Sequence, residues 1–132
     1  MKKAFTLIEL MLVVIIIGVL SAMVVPRLAG RSEQARIQAA KTDINSSIPI
    51  ALDLYEMDLG RYPELMDYLR TRPGADSESW RGPYLKKKPL DPWGKVYIYK
   101  APGEHNPDSY DLSSMGSDGK PDTTDDVTNW GE

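Results

Sequence analysis

From Phe5 to Val25 the chain is apolar almost without interruption, and the one charge inside that run is the carboxylate of Glu9. A helix over these 21 residues is roughly 31 Å long at the α-helical rise, which matches the hydrocarbon layer of a bilayer. Leu10 to Val25 carries no charge, and Lys2-Lys3 precedes the run. Positive flanks stay cytoplasmic, so the C-terminal part is expected on the far side of the membrane.

Three readings compete for this segment. A secretory signal peptide fits poorly, because the run exceeds a usual h-region and Ser21-Ala22-Met23-Val24-Val25-Pro26 offers no clear small-x-small exit. A plain anchor leaves Glu9 unexplained unless it lies shallow, since a membrane carboxylate costs on the order of 2.5–3.5 kcal/mol on insertion scales. The third reading is a processed helix that is kept. Ala4-Phe5-Thr6-Leu7-Ile8-Glu9 resembles the processing site of type IV pilins and pseudopilins. The resemblance implies that a prepilin peptidase cuts between Ala4 and Phe5 and methylates the new Phe5 amine; Ala4 stands where the family usually has Gly. It also implies that Glu9 of one subunit neutralises the Phe5 amine of the next and marks register in a filament. Neither charge is comfortable alone in a low dielectric, which gives the pairing a physical basis.

After the anchor, Gly18 and Pro26 are helix-weakening residues, and charge returns at Arg27 and Arg31. Ala40, Ile44, Ile48, Ala51, Leu52, Tyr55 and Leu59 then recur at helical spacing among polar residues, predicting an amphipathic helix. Pro49 predicts a kink or break there, and Ile48 before it is biased away from helical geometry. Gly60, followed by Pro63, reads as the helix stop. A short helix is expected over 64–70 and a strand over 95–100, with an antiparallel partner over 109–114. Trp80, Tyr84 and Trp93 stand in turn-rich stretches suited to covering a core. The fold expected is α+β. A long N-terminal helix, half transmembrane and half amphipathic, packs on a small antiparallel sheet. Its divisions are a leader over 1–4, a transmembrane and filament-core helix over 5–26, an amphipathic helix over 27–60 and a globular region over 61–132.

A net charge of −3 gives no reason to expect nucleic acid as a partner, and the exposed-looking triplet Lys86-Lys87-Lys88 reads as a solvated loop. The chain has no cysteine, so a small exported domain must find a staple other than a disulfide. His105 is the one histidine; with no second His or any Cys, it reads as a solvated loop residue. Residues 104–132 hold eight carboxylates against one lysine, Lys120. Ca²⁺ takes six to eight oxygen ligands in a tolerant geometry, and Met115 to Asp126 offers many within one loop. The spacing is not that of an EF-hand. Composition leaves a solvated acidic loop and a cation site both open.

Five short pieces resemble, in order, the major pseudopilins of type II secretion systems: Leu59-Gly60-Arg61-Tyr62-Pro63, Asp91-Pro92-Trp93-Gly94, Tyr110-Asp111-Leu112, Gly116-Ser117-Asp118-Gly119 and Asp126-Val127-Thr128-Asn129-Trp130. The resemblance implies a structural Ca²⁺ in the loop 115–126. Its ligands would be the backbone carbonyls of Met115 and Thr123 and the side chains of Asp118, Asp125 and Asp126, with Asp122 a possible substitute. It further implies a non-enzymatic subunit of a periplasmic filament that drives protein secretion from the inner membrane, crossing it once with its C-terminal domain in the periplasm. The partners implied are further copies of the chain, minor pseudopilins, the prepilin peptidase, an inner-membrane assembly platform and membrane lipid. A type IV pilin for adhesion, motility or DNA uptake is the alternative. A membrane-anchored enzyme finds no support in one loop histidine, no cysteine and no phosphate-binding glycine loop.

Overall fold

The computed structural model describes residues 2–131; Met1, in the expected leader, and Glu132 lie outside the described residues. Two compact units divide at residues 35 and 36. Helix α1 runs Leu7–Thr42, and its last turns belong to the second unit.

In the first unit the apolar side chains from Leu7 to Leu28 are exposed around the helix. A helix that is apolar all round needs a membrane or other helices to cover it. Among the described residues, the helical stretch Leu7–Leu59 is the one long and apolar enough to cross a membrane. Pro26 lies inside α1 without ending it. It removes one donor, to the Ala22 carbonyl, and the flanking ladder holds on both sides.

In the second unit the helical path continues, which differs from a break at Pro49. A π-turn spans Asp43–Ser47, and α2 follows over Ile48–Leu59. The Ile48 N–H reaches back five residues to the Asp43 carbonyl, and Ile48 itself is helical at φ −73°, ψ −43°. The wider turn lets Pro49 fall in the first turn of α2, where the missing N–H leaves no gap in the ladder. Gly60 closes α2 in the left-handed conformation, φ 75°, with its N–H on the Glu56 carbonyl at 2.7 Å.

Ala40, Ile44, Ile48, Ala51, Leu52 and Tyr55 are buried at the predicted spacing and share one core with Leu69, Tyr97, Tyr110, Leu112 and Val127. Fully buried aliphatic residues such as Leu52 and Leu112 each contribute about 1.5–3 kcal/mol over exposure. Three polar tips of the aromatic rim find buried or half-buried partners. Trp80 Nε1 donates to the Tyr68 carbonyl at 3.0 Å, Tyr84 Oη to Asp58 Oδ2 at 2.6 Å and Tyr99 Oη to the Pro63 carbonyl at 2.7 Å.

The sheet is antiparallel and ordered β1-β2-β3, with β1 Ile98–Lys100, β2 Asp111–Ser114 and β3 Val127–Thr128. Tyr99 faces Leu112, and Ser114 faces Val127. Both expected strands are shorter than their propensities suggest. Residues 91–95 close a turn instead: the Asp91 N–H donates to the Lys95 carbonyl at 2.7 Å and the Lys95 N–H to Asp91 Oδ1 at 2.8 Å. The Tyr110 carbonyl accepts from the side-chain amides of Asn106 and Asn129. The short helix expected over 64–70 is a 3₁₀ turn, Met66–Leu69, because Leu65 is extended at φ −128°. β3 was not expected as a strand; two residues are too few for a periodic signal.

Candidate metal centre and helix-start motif

Strand β2 delivers the chain into the acidic loop. Gly116, buried at its start, has φ 63°, and a Cβ there would lie 2.7 Å from Asp125 Oδ2. Only glycine combines that backbone with that approach. The loop then curls so that Asp118, Asp125 and Asp126 bring carboxylate oxygens within 4.8 Å of one another, a grouping that could hold a metal ion.

The two oxygens of Asp125 and of Asp126 do different work. Asp125 Oδ2 accepts from the Ser117 hydroxyl and the Asp118 N–H, both at 2.9 Å. Asp126 Oδ2 accepts the Asp122 N–H at 2.8 Å. The Oδ1 atoms turn to a common centre, where the Thr123 hydroxyl oxygen stands 2.7 Å from Asp125 Oδ1, 3.0 Å from Asp126 Oδ1 and 3.3 Å from Asp118 Oδ1. Asp118 Oδ1 also accepts the Lys120 N–H at 2.8 Å; one hydroxyl has one proton to donate, so the Oδ1 atoms of Asp125 and Asp126 compete for a single donor. The Thr123 hydroxyl first, then the Asp118 N–H and the Ser117 hydroxyl, hold the Asp125 carboxyl well below the usual carboxylate range. An all-oxygen donor set of this kind suits a hard cation.

Of the residues named from sequence, Asp118, Asp125 and Asp126 come together. Thr123 joins them through its hydroxyl, while its carbonyl accepts the Asp126 N–H at 3.2 Å. Met115 sits half-buried where β2 ends. The Asp122 carboxylate is not in the cluster; Asp122, at φ 63°, offers its N–H instead. The role of the Thr123 side chain left no signal, since hydroxyl and carbonyl share one position in the sequence.

His105 is exposed but not a free loop residue. Its ring stacks on Trp130 with centroids 4.2 Å apart and planes 5° from parallel, and Nδ1 lies 3.0 Å from Asp111 Oδ2. Lys86, Lys87 and Lys88 are exposed, as expected.

At the other end of the chain, Glu9 Oε2 accepts from the Thr6 N–H and the Thr6 hydroxyl, both at 2.9 Å, and the Glu9 N–H donates to Thr6 Oγ1 at 3.3 Å. This is a reciprocal capping box at the start of α1. The spacing Thr6-x-x-Glu9 carries that signal, which the assembly role of Glu9 had overshadowed. All three bonds involve Oε2 or the backbone, none Oε1. Ala4 and Phe5 precede the helix as exposed, non-helical residues.

The family described as Type II secretion system (T2SS), protein G matches residues 27–130, and the Prokaryotic N-terminal methylation motif matches residues 1–25. A type II secretion system core protein G from Escherichia coli K12 is 43% identical over 136 residues, covering 98% of this chain and 92% of that protein. One from Pseudomonas aeruginosa is 43% identical over 138 residues, covering 98% and 95%. The crystal structure of the major pseudopilin from the type 2 secretion system of enterohaemorrhagic Escherichia coli is similar at a TM-score of 0.66 and 34% identity, over 81% of this chain and 96% of that one.

Proposed function

Because the chain belongs to the type II secretion system protein G family, we propose that it is a major pseudopilin, the structural subunit of the periplasmic filament that drives type II secretion. The carrying observation is the union in one chain of the methylation motif over residues 1–25 with the protein G match over 27–130. Its role is mechanical rather than enzymatic.

Residues 1–4 are the leader. The prepilin peptidase cuts between Ala4 and Phe5 and methylates Phe5. Residues 5–26 hold the subunit in the inner membrane and later line the filament core, while 27–60 and the globular region 61–132 stand in the periplasm. The exposure of Ala4 and Phe5 before the first helical turn supports access by the peptidase. Glu9 uses Oε2 for its own helix start; Oε1 is then placed to meet the Phe5 amine of the next copy. The exposed Ile50, Leu54 and Met57, at helical spacing on α2, give neighbouring copies a further apolar contact. Minor pseudopilins and an inner-membrane platform complete the assembly. Ca²⁺ is held by Asp118, Asp125 and Asp126 with the Met115 and Thr123 carbonyls. It neutralises the converging carboxylates and staples a domain that lacks cysteine.

Deletion of the gene in its own host tests the reading. Folded exoproteins should be retained in the periplasm and released again when the full chain is restored. Normal secretion in the deletion strain, with loss of adhesion or motility instead, overturns it. Mass spectrometry of the membrane-extracted chain should find a methylated Phe5 terminus; an intact Met1 or a cut after Ala22 argues against the processing.

A further inference from the structure

The motif Asp91-Pro92-Trp93-Gly94 has no role in the assembly or in the metal cluster, yet Asp91 is only 4% exposed. A buried carboxylate must be matched by donors. Asp91 Oδ1 accepts the N–H groups of Trp93 at 3.1 Å and Lys95 at 2.8 Å. Asp91 Oδ2 accepts the hydroxyl of Ser114, 23 residues away, at 2.7 Å. Ser114 is fully buried, and its Oγ in turn accepts the Gly116 N–H at 3.2 Å.

We propose that Asp91, acting through Ser114, is a positioning residue for the cation loop. The proposal rests on the calcium reading above. A carboxylate has no proton to give, so the Ser114 hydroxyl must donate to it, and the oxygen lone pairs turn to the Gly116 N–H. That contact holds Gly116 where its missing side chain makes room for Asp125. Asp125 is thereby pressed into place with Oδ1 toward the cluster. The relay thus links the turn 91–95 to a ligand it does not touch. Groups hydrogen-bonded to the ligands themselves change metal affinity about 10- to 100-fold when removed; the relay acts one step further out, at the low end of that range.

Ca²⁺ titration of the full chain in detergent micelles, followed by calorimetry, tests the relay. Asp91→Asn keeps the shape but can present an amide donor to Ser114, freeing its proton to point elsewhere. Ser114→Ala removes the hydroxyl with little change of volume. Each should weaken the Ca²⁺ Kd about 10-fold, the low end of the range for groups that bond ligands directly, and the double variant should lose no more than the worse single one. Tyr84→Phe removes a bond to Asp58 away from the loop; it should lower the Tm in chelator and leave the Kd unchanged. Wild-type Kd in both relay variants overturns the positioning role while calcium binding stands. A wild-type chain that binds no Ca²⁺ overturns the calcium reading and the relay with it.

Discussion

The Tyr97 hydroxyl donates to Asp43 Oδ2 at 2.7 Å, tying the residue before β1 to the first residue of the π-turn, 54 positions away. Burial first, then the Asp43 carboxylate that accepts the bond, pushes the Tyr97 hydroxyl far above its ordinary range. Tyr97→Phe should cost about 1.5–3 kcal/mol, the range for a bond to a charged group, as read from denaturant midpoints. Burial, then Asp53 and Tyr62, pushes Tyr110 up to about 12. These folded values exceed the unfolded one, so the stability they contribute is complete below about pH 10 and is lost as pH rises through the folded values. Unfolding followed by tyrosinate absorbance should therefore show stability falling from about pH 10 upward, and the fall should be smaller in Tyr97→Phe.

Asp111 supplies the acid limb. Burial would raise its carboxyl, but the N–H and ring of His105 and the N–H groups of Asn106 and Glu104 outweigh it and hold the group below its ordinary value. With the folded value depressed, its stabilisation is present above about pH 4 and is lost as pH falls through the folded value. Asp111→Asn should cost about 1–3 kcal/mol at neutral pH and flatten the acid limb of a pH series of thermal melts.

Gly116→Ala should disturb the acidic loop more than an ordinary surface change. A non-glycine residue in the left-handed region costs of order 1–3 kcal/mol, and here the new methyl also meets Asp125. Chelation should lower the Tm of the wild-type chain. It should have little effect on Gly116→Ala or Asp118→Ala; the Asp118→Ala melt in calcium should resemble the wild type in chelator, and the Gly116→Ala melt should lie below it. Equal responses in all three chains would argue for a merely solvated loop.

Glu9 serves two roles that substitution separates. Glu9→Gln can still accept the Thr6 bonds, since glutamine also completes a capping box, but it brings no charge to a neighbour's amine. Filament yield should collapse while helix content holds. Thr6→Val keeps the charge and loses the cap, at about 0.5–2 kcal/mol; filaments should still form. Normal assembly of Glu9→Gln would end the pairing idea.

Much of this fold was legible in local pattern. The apolar run marks α1, the three-to-four spacing marks the buried face from Ala40 to Tyr55, and Gly60 marks the stop. The strands at 98–100 and 111–114 were visible as β-rich pieces, but not their length, because turn residues and asparagine side chains took up the outer backbone groups. The π-turn escaped because Pro49 says only that the ladder must change, not how.

At the two ends of the chain the balance differs. Phe5 to Val25 specifies from sequence alone a helix long and apolar enough to cross a membrane, since that length is set within one run, and the Thr6-x-x-Glu9 spacing carries the cap at which it starts. In the acidic loop, sequence determined that carboxylates crowd together. Tertiary structure decided which of their oxygens converge on Thr123, that the Asp122 carboxylate stays out of the cluster, and that Asp91 reaches Ser114. Those choices depend on where β2 and the turn at 91–95 meet in the core. Closure of the chain over tens of residues leaves no periodic trace in the sequence.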